Sequence, residues 1–269
     1  DGMTDPLGQS QVLPYIINLT KENYNFHLVS FEKPDRFKKN KSLIKKICLD
    51  NNIKWHPLKY TKNPPFLSTI FDLYKMKKLA KKLHLKHGFS LVHCRSYISS
   101  LVGLRFNRIY GIPFLFDMRG FWADERVDGG LWNLKNPIYK IVYNYFKKKE
   151  KQFLLESNHI ISLTHNGKKN ILKIPSFTHL ESNISVIPCC TDLNLFKPVK
   201  RDSDSYIIGY LGSLGTWYLV REMLVFFKKI KEKIPNSKFH VLTKDDSGII
   251  FTHCKKLGID SENILVEES

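Results

Sequence analysis

No C-x-x-C occurs among the five cysteines (Cys48, Cys94, Cys189, Cys190, Cys254), an odd number spread along 269 residues. That spacing excludes a zinc knuckle and a disulfide framework, and it points to reduced core thiols in a cytoplasmic protein. No run approaches the roughly 20 apolar residues of a membrane-spanning helix. No secretory signal opens the chain, although its abrupt start leaves room for a lost upstream segment. Two glycine turns precede helix-like stretches, but neither contains G-K-[ST] or G-x-G-x-x-G, so Walker and dinucleotide fingerprints are both missing. There is no internal repeat and no low-complexity segment. Acid is scarce, with 25 Asp and Glu against 43 Lys and Arg.

What is present is a globular composition, 42% hydrophobic and 13% aromatic, with a net charge of +18. Such a charge attracts polyanions: nucleic acid, an anionic membrane surface or phosphorylated substrates. Its placement narrows the choice. KMKKLAKKLHLKHG (75–88) and FKKKEKQF (146–153) put the lysines on helices rather than in a tail. Along 66–83, Phe66, Ile70, Leu73, Ala80 and Leu83 form a stripe expected to pack on a sheet. Along 138–154, Ile138, Ile141, Val142, Tyr145, Phe153 and Leu154 do the same, with the lysines facing outward. Those lysine faces are either merely solvated or rest on anionic lipid.

Nine short β-rich runs alternate with helical stretches: 25–31, 53–58, 90–94, 113–117, 159–163, 184–187, 206–211, 238–242 and 263–266. Several are continuously apolar, which suits parallel strands covered on both faces. The fold class is therefore α/β with parallel sheets. Two prolines and a polar run in PCCTDLNLFKPVKRDSDS (188–205) mark a boundary, giving domains 1–198 and 199–269. DSD (202–204) has the form of a D-x-D metal motif, but it sits in the linker, and no metal is expected.

Ligands of open parallel sheets bind beyond the carboxyl ends of the strands. The opening turn, DGMTDPLGQS, offers Gly8, Gln9 and Ser10 as a cradle for an anionic group, with the first helix starting at Gln9 or Ser10. HCRSY presents His93 and Arg95. DMRGFWADERVDGG (117–130) packs four acids, two arginines, a Trp and three glycines into fourteen residues. It reads as a pocket wall for a hydroxyl-rich ligand, through Arg119 and Trp122, with Asp117 or Glu125 available as a base. THNGKK presents Thr164, His165 and Lys168. GSLGTW presents Gly212, Ser213, Gly215 and Thr216, the last able to cap a helix.

Taken in order, DPLGQSQVLPYI, LVHCRSY, FLFDMRGFWADERVDGG, ISLTHNGKK, VIPCCTDLNLF and YIIGYLGSLGTW resemble glycosyltransferase family 4. The resemblance is closest to bacterial enzymes that build surface polysaccharides such as capsule or lipopolysaccharide. It implies the GT-B architecture of two Rossmann-like domains: an acceptor domain at 1–198 and the start of a nucleotide-sugar domain at 199–269. It also implies transfer of a sugar from a nucleotide-diphosphate donor to a hydroxyl acceptor, lipid-linked or polysaccharide, without cofactor or metal and with retention. On this reading Asp117, Arg119 and His93 act in catalysis. Gly8 approaches the donor phosphates or the acceptor head group, and Arg95 lies near the donor sugar. The enzyme would work in the cytoplasm, its lysine-rich helices against the inner face of the plasma membrane.

Two departures qualify the resemblance. Where many members carry cations for the leaving diphosphate, this chain has Ser213 and Tyr218. That work would fall to backbone N–H groups of 212–216, or to Arg95, Arg119, Lys168 or Arg221. The family's pair of glutamates eight positions apart in the second domain is absent from the 269 residues. The chain is thus expected to be truncated at both ends, with most of the nucleotide pocket missing and no activity alone. A basic nucleic-acid-binding α/β protein and a non-catalytic acceptor-binding fragment are the alternatives; the former lacks any nucleic-acid motif.

Overall fold

Each of the nine apolar runs forms a strand, and among the described residues every strand pairing is parallel. The computed structural model describes residues 2–198, 206–215 and 218–268. Thr216 and the DSD run at 202–204 lie outside these residues. The chain divides into two compact units, Asp1–Asp192 and Leu193–Ser269.

In the first unit the order is α1 (Pro6–Gln11), α2 (Leu13–Thr20), β1 (His27–Glu32), α3 (Pro34–Asp50), β2 (Lys54–Lys59), α4 (Leu67–His87), β3 (Val92–Arg95), α5 (Ser96–Tyr110), β4 (Phe114–Asp117), α6 (Trp122–Asp128), α7 (Pro137–Glu156), β5 (His159–Ser162), α8 (His165–Leu172) and, after a 3-10 stretch, β6 (Ile184–Val186). The six strands fall into two sheets, β1-β2 and β3-β4-β5-β6. The first helix starts at Pro6, earlier than the turn residues suggest, and breaks at Val12 because Pro14 has no N–H to donate. Asn136 and Thr164 cap α7 and α8 by accepting from the amides of Ile138 and Gly167.

The main core of this unit is aromatic. Phe114 and Phe116 on β4 meet Phe153 on α7, and Tyr97 closes the cluster with its ring edge-on to Phe116. Each such side chain contributes about 2–3 kcal/mol by leaving water. A second cluster (Met3, Leu13, Ile44, Cys48, Ile53) seats α2 and α3 on β1 and β2.

The second unit comprises β7 (Ile207–Leu211), α9 (Val220–Lys233), β8 (Lys238–Thr243), α10 (Gly248–Leu257) and β9 (Ile264–Glu268), with strand order β7-β8-β9. Leu224 and Phe227 of α9 and Ile250 of α10 bury against Phe239 and Val241.

The stripes expected on α4 and α7 need correction. Leu73, Ala80 and Leu83 face inward on α4, but Ile70 is exposed. On α7 the core takes Val142, Phe146, Phe153 and Leu154, while Ile138, Ile141 and Tyr145 face solvent. Spacing by three and four admits two lines about a third of a turn apart, and only the packing partner selects between them. The thiols divide as well: Cys48, Cys94 and Cys254 are buried, whereas Cys189 and Cys190 are exposed.

Candidate functional site

Parallel pairing of β3 with β4 sets Arg95 directly beside Asp117 at the carboxyl ends of both strands. Asp117 is 5% exposed, with one imidazole and two guanidiniums around it. His93 Nε2 lies 3.5 Å and Arg95 Nη1 3.9 Å from its Oδ2, and Arg119 Nη1 lies 3.8 Å from its Oδ1. Its Oδ1 is buried and makes no hydrogen bond. Arg95 and Arg119 both donate to a single oxygen, Gln11 Oε1, at 3.1 and 3.0 Å. Burial, with Arg119 beside it, holds the Arg95 guanidinium below its usual pKa. Two guanidiniums on one neutral oxygen form a cationic pocket with donors to spare.

The backbone here is held in unusual conformations. Ser96, directly after β3, and Arg119, just after β4, both have positive φ, 68° and 61°. Non-glycine residues adopt that region at a cost of about 1–3 kcal/mol, and such positions cluster where side chains must be aimed. Gly120 follows with φ of 147°, and a Cβ there would lie 2.1 Å from Glu125 Oε1. That φ favours glycine, and burial raises the pKa of the neighbouring Glu125 carboxyl.

The segment after β6 closes one side. Cys189 Sγ is 3.6 Å from Arg119 Nη2, and the Tyr15 hydroxyl donates to the Pro188 carbonyl at 3.3 Å. The Tyr15 phenol is raised in pKa, first by its hydrogen bond with Cys190. Gln11, Tyr15 and Cys189 join the site although the sequence singled out none of them within the stretches that hold them, because Gln11 is neutral and the segment after β6 is distant in sequence.

His93, Arg95, Asp117 and Arg119 thus come together, while the other candidates stand elsewhere. Gly8 is buried, and a Cβ there would lie 2.2 Å from the Gly2 carbonyl, so its role is close packing of α1 on residues 2 and 3. Gln9 donates to the Thr4 carbonyl and Ser10 to that of Pro6. The amides of Met3 and Thr4 are not open to a phosphate. They donate to Glu32, which also accepts from the Thr4 and Ser30 hydroxyls, while Gly2 N–H donates to Asp5.

Trp122 is an anchor, its ring 4.8 Å from that of Phe146 and perpendicular to that of Trp132. Around it, Asp124 accepts from Tyr143 and Lys147, and buried Glu150 accepts from Lys147 and Tyr97, fastening α6 to α7. Thr164 caps α8, His165 is exposed, and Lys168 Nζ donates to the carbonyls of Glu181 and Ile184.

In the second unit, Gly212, Ser213 and Gly215 turn out of β7. The Ser213 hydroxyl and Leu214 amide both donate to Asp245 at 2.6 Å, which lowers the pKa of that carboxyl. Arg221 is 3.7 Å from Glu222. Among the described residues no group of three or more His, Cys, Asp and Glu is placed to hold a metal.

Comparison with solved structures finds the same fold in distant proteins. A UDP-N-acetylglucosamine 2-epimerase of Listeria monocytogenes superposes with a TM-score of 0.54 at 13% identity, covering 96% of this chain and 65% of that one. The Neisseria meningitidis UDP-GlcNAc 2-epimerase, solved with UDP-GlcNAc, gives 0.53 at 13% identity, with coverage of 96% and 68%. The Rickettsia bellii UDP-N-acetylglucosamine 2-epimerase gives 0.50 at 12%, with coverage of 96% and 66%. The chain therefore spans about two thirds of the length of these neighbours. No curated protein matches by sequence. The α/β fold with parallel sheets is of the GT-B type. The sequence profile of Glycosyltransferase Family 4 covers residues 12–195, which is most of the chain and includes His93, Arg95, Asp117 and Arg119. On that match the chain belongs to glycosyltransferase family 4.

Proposed function

We propose that the protein transfers a sugar from a nucleotide-diphosphate donor to a hydroxyl of a lipid-linked or polysaccharide acceptor. Retention at the anomeric carbon and independence of metal are part of the proposal, as are a cytoplasmic location and a role in building surface polysaccharide. The observation that carries it is the arrangement around Asp117. Two guanidiniums converge with donors unspent, and one buried carboxylate oxygen has no hydrogen-bond partner.

These features match the needs of the reaction. A departing nucleotide diphosphate gains negative charge in the transition state, and fixed cations facing it lower the barrier. Arg95 and Arg119 supply that charge, whether toward the donor diphosphate or a phosphate of the acceptor. Asp117 is the carboxylate to orient a sugar hydroxyl and accept its proton once a ligand reaches the buried Oδ1, which has no hydrogen-bond partner, and His93 lies beside Oδ2. The neighbours solved with UDP-N-acetylglucosamine 2-epimerase activity in their names, one with UDP-GlcNAc bound, are in keeping with a nucleotide-sugar ligand.

Thermal shift across a panel of nucleoside diphosphates and nucleotide sugars tests the reading on the full-length protein. One nucleotide sugar should stabilise the protein, and Arg95→Ala or Arg119→Ala should weaken that binding about tenfold or more. If no nucleotide sugar stabilises the protein and none is turned over, the proposal is wrong.

A further inference from the structure

Three of the thiols are shielded from reagents. Burial pushes Cys48 and Cys94 up, to about 11 and about 12, and it raises Cys254 as well. Cys189 and Cys190 are exposed, side by side on the segment after β6. Their surroundings differ. Cys190 Sγ donates to the Pro188 carbonyl at 3.3 Å and is hydrogen-bonded with the Tyr15 phenol. Cys189 Sγ stands 3.6 Å from Arg119 Nη2 and 4.0 Å from Gln11 Oε1, the oxygen on which Arg95 and Arg119 converge.

The same guanidinium reaches Asp117 Oδ1 with its other nitrogen, Nη1, at 3.8 Å. One carboxylate therefore faces two guanidiniums, and the balance beside the thiol is positive. A cation next to a thiol favours the charged sulfur that attacks a disulfide, and it stabilises the thiolate that leaves. A reagent of amino-acid character suits the remaining groups. Its carboxylates meet guanidiniums with donors to spare. Its ammonium suits Asp117 once the buried Oδ1, which has no hydrogen-bond partner, is reached.

We propose that Cys189 is a modification site, taking a mixed disulfide with a small thiol that carries carboxylate and ammonium groups, of the glutathione class. The co-reactant is the symmetric disulfide of that thiol. The Cys189 thiolate attacks one of its sulfurs, and the old S–S bond breaks as the new one forms. The electron pair leaves on the second sulfur, which departs as a thiolate and takes a proton from water. Cys189 is oxidised, one half of the small disulfide is reduced, and excess thiol reverses the step. Cys190 is not the second sulfur. Adjacent Cα atoms lie about 3.8 Å apart, short of the roughly 4.4 Å at which disulfides begin. The adduct would lie over Arg119 and close the guanidinium pocket. The proposal stands independently of which sugar, if any, the protein transfers.

Intact mass spectrometry with peptide mapping, after incubation with glutathione disulfide, tests it on the full-length protein. One glutathionyl group should add at Cys189, and dithiothreitol should remove it. Cys189→Ser should abolish the addition, whereas Cys190→Ser should leave it in place. Arg119→Ala should slow it about tenfold. Cystamine, a disulfide with ammonium groups and no carboxylates, should react about tenfold more slowly than glutathione disulfide. That comparison is made on the unaltered protein, and melting curves verify that the variants remain folded. No adduct, or a first adduct at Cys190 or at a buried thiol, overturns the proposal. So do equal rates with the two disulfides, or an unchanged rate in folded Arg119→Ala.

Discussion

Asp117 is the residue on which the most chemistry converges. Two guanidiniums and an imidazole stand within 4 Å of a carboxylate that is almost fully buried, and one of its oxygens has no hydrogen-bond partner. Removing its charge should separate two quantities. Asp117→Asn leaves Arg95 and Arg119 with less to neutralise them, so a nucleoside diphosphate should bind as well or more tightly. Turnover should nonetheless fall about a hundredfold, because the hydroxyl loses its proton acceptor. Calorimetric affinity and steady-state turnover, measured together, check this; equal losses in both would make Asp117 a structural residue.

His93, Arg95, Asp117 and Arg119 were legible in the sequence, since the rule that ligands lie beyond strand ends points straight at them. Gln11 was not: it lies within DPLGQSQVLPYI, but an uncharged amide gives no sign that its oxygen will take both guanidiniums. Glu32 was missed for another reason. It acts on amides 28 and 29 positions away, and only the fold brings that strand end beneath the opening turn.

At the scale of elements, β1, β2 and the end of α4 bring three imidazoles together. His27 and His56 have ring nitrogens 3.1 Å apart, and the His87 ring centroid is 4.3 Å from that of His27. Burial, then the neighbouring His87 and His56, followed by Lys54 and Lys86, lower the His27 pKa from 6.5 to about 4. The native state thus prefers His27 neutral. Between those two values the unfolded chain binds more protons than the native one, so stability rises with pH there and is lost as pH falls from 6.5 toward 4. Melting temperatures at pH 7 and pH 5 should differ, and His27→Gln should reduce the difference; an unchanged pH slope would remove His27 from the account.

The existence of all nine strands was legible too, because short apolar runs bounded by Gly, Pro and polar residues rarely form anything else. The outward faces of α4 and α7 were not. Periodicity reports that apolar residues share a line, and it is silent on whether that line meets the protein or its surroundings.

At the scale of the whole molecule, two units with separate cores share one chain carrying +18. Units stabilised by separate cores need not melt together. Scanning calorimetry should resolve two transitions, and a ligand of the Asp117 site should raise only the one belonging to the first unit. A single sharp transition shifted as a whole would mean that the units are energetically coupled.

The carboxylates set into the two glycine turns have a further consequence at this scale. Glu32 takes the Met3 and Thr4 amides of the opening turn, and Asp245 takes the Leu214 amide and Ser213 hydroxyl after β7. A protein this cationic draws in every small anion around it, and bare backbone turns would trap phosphate or sulfate indiscriminately. Here each turn carries its own resident plug. Those amides are thereby taken by the protein's own carboxylates rather than left for ambient ions.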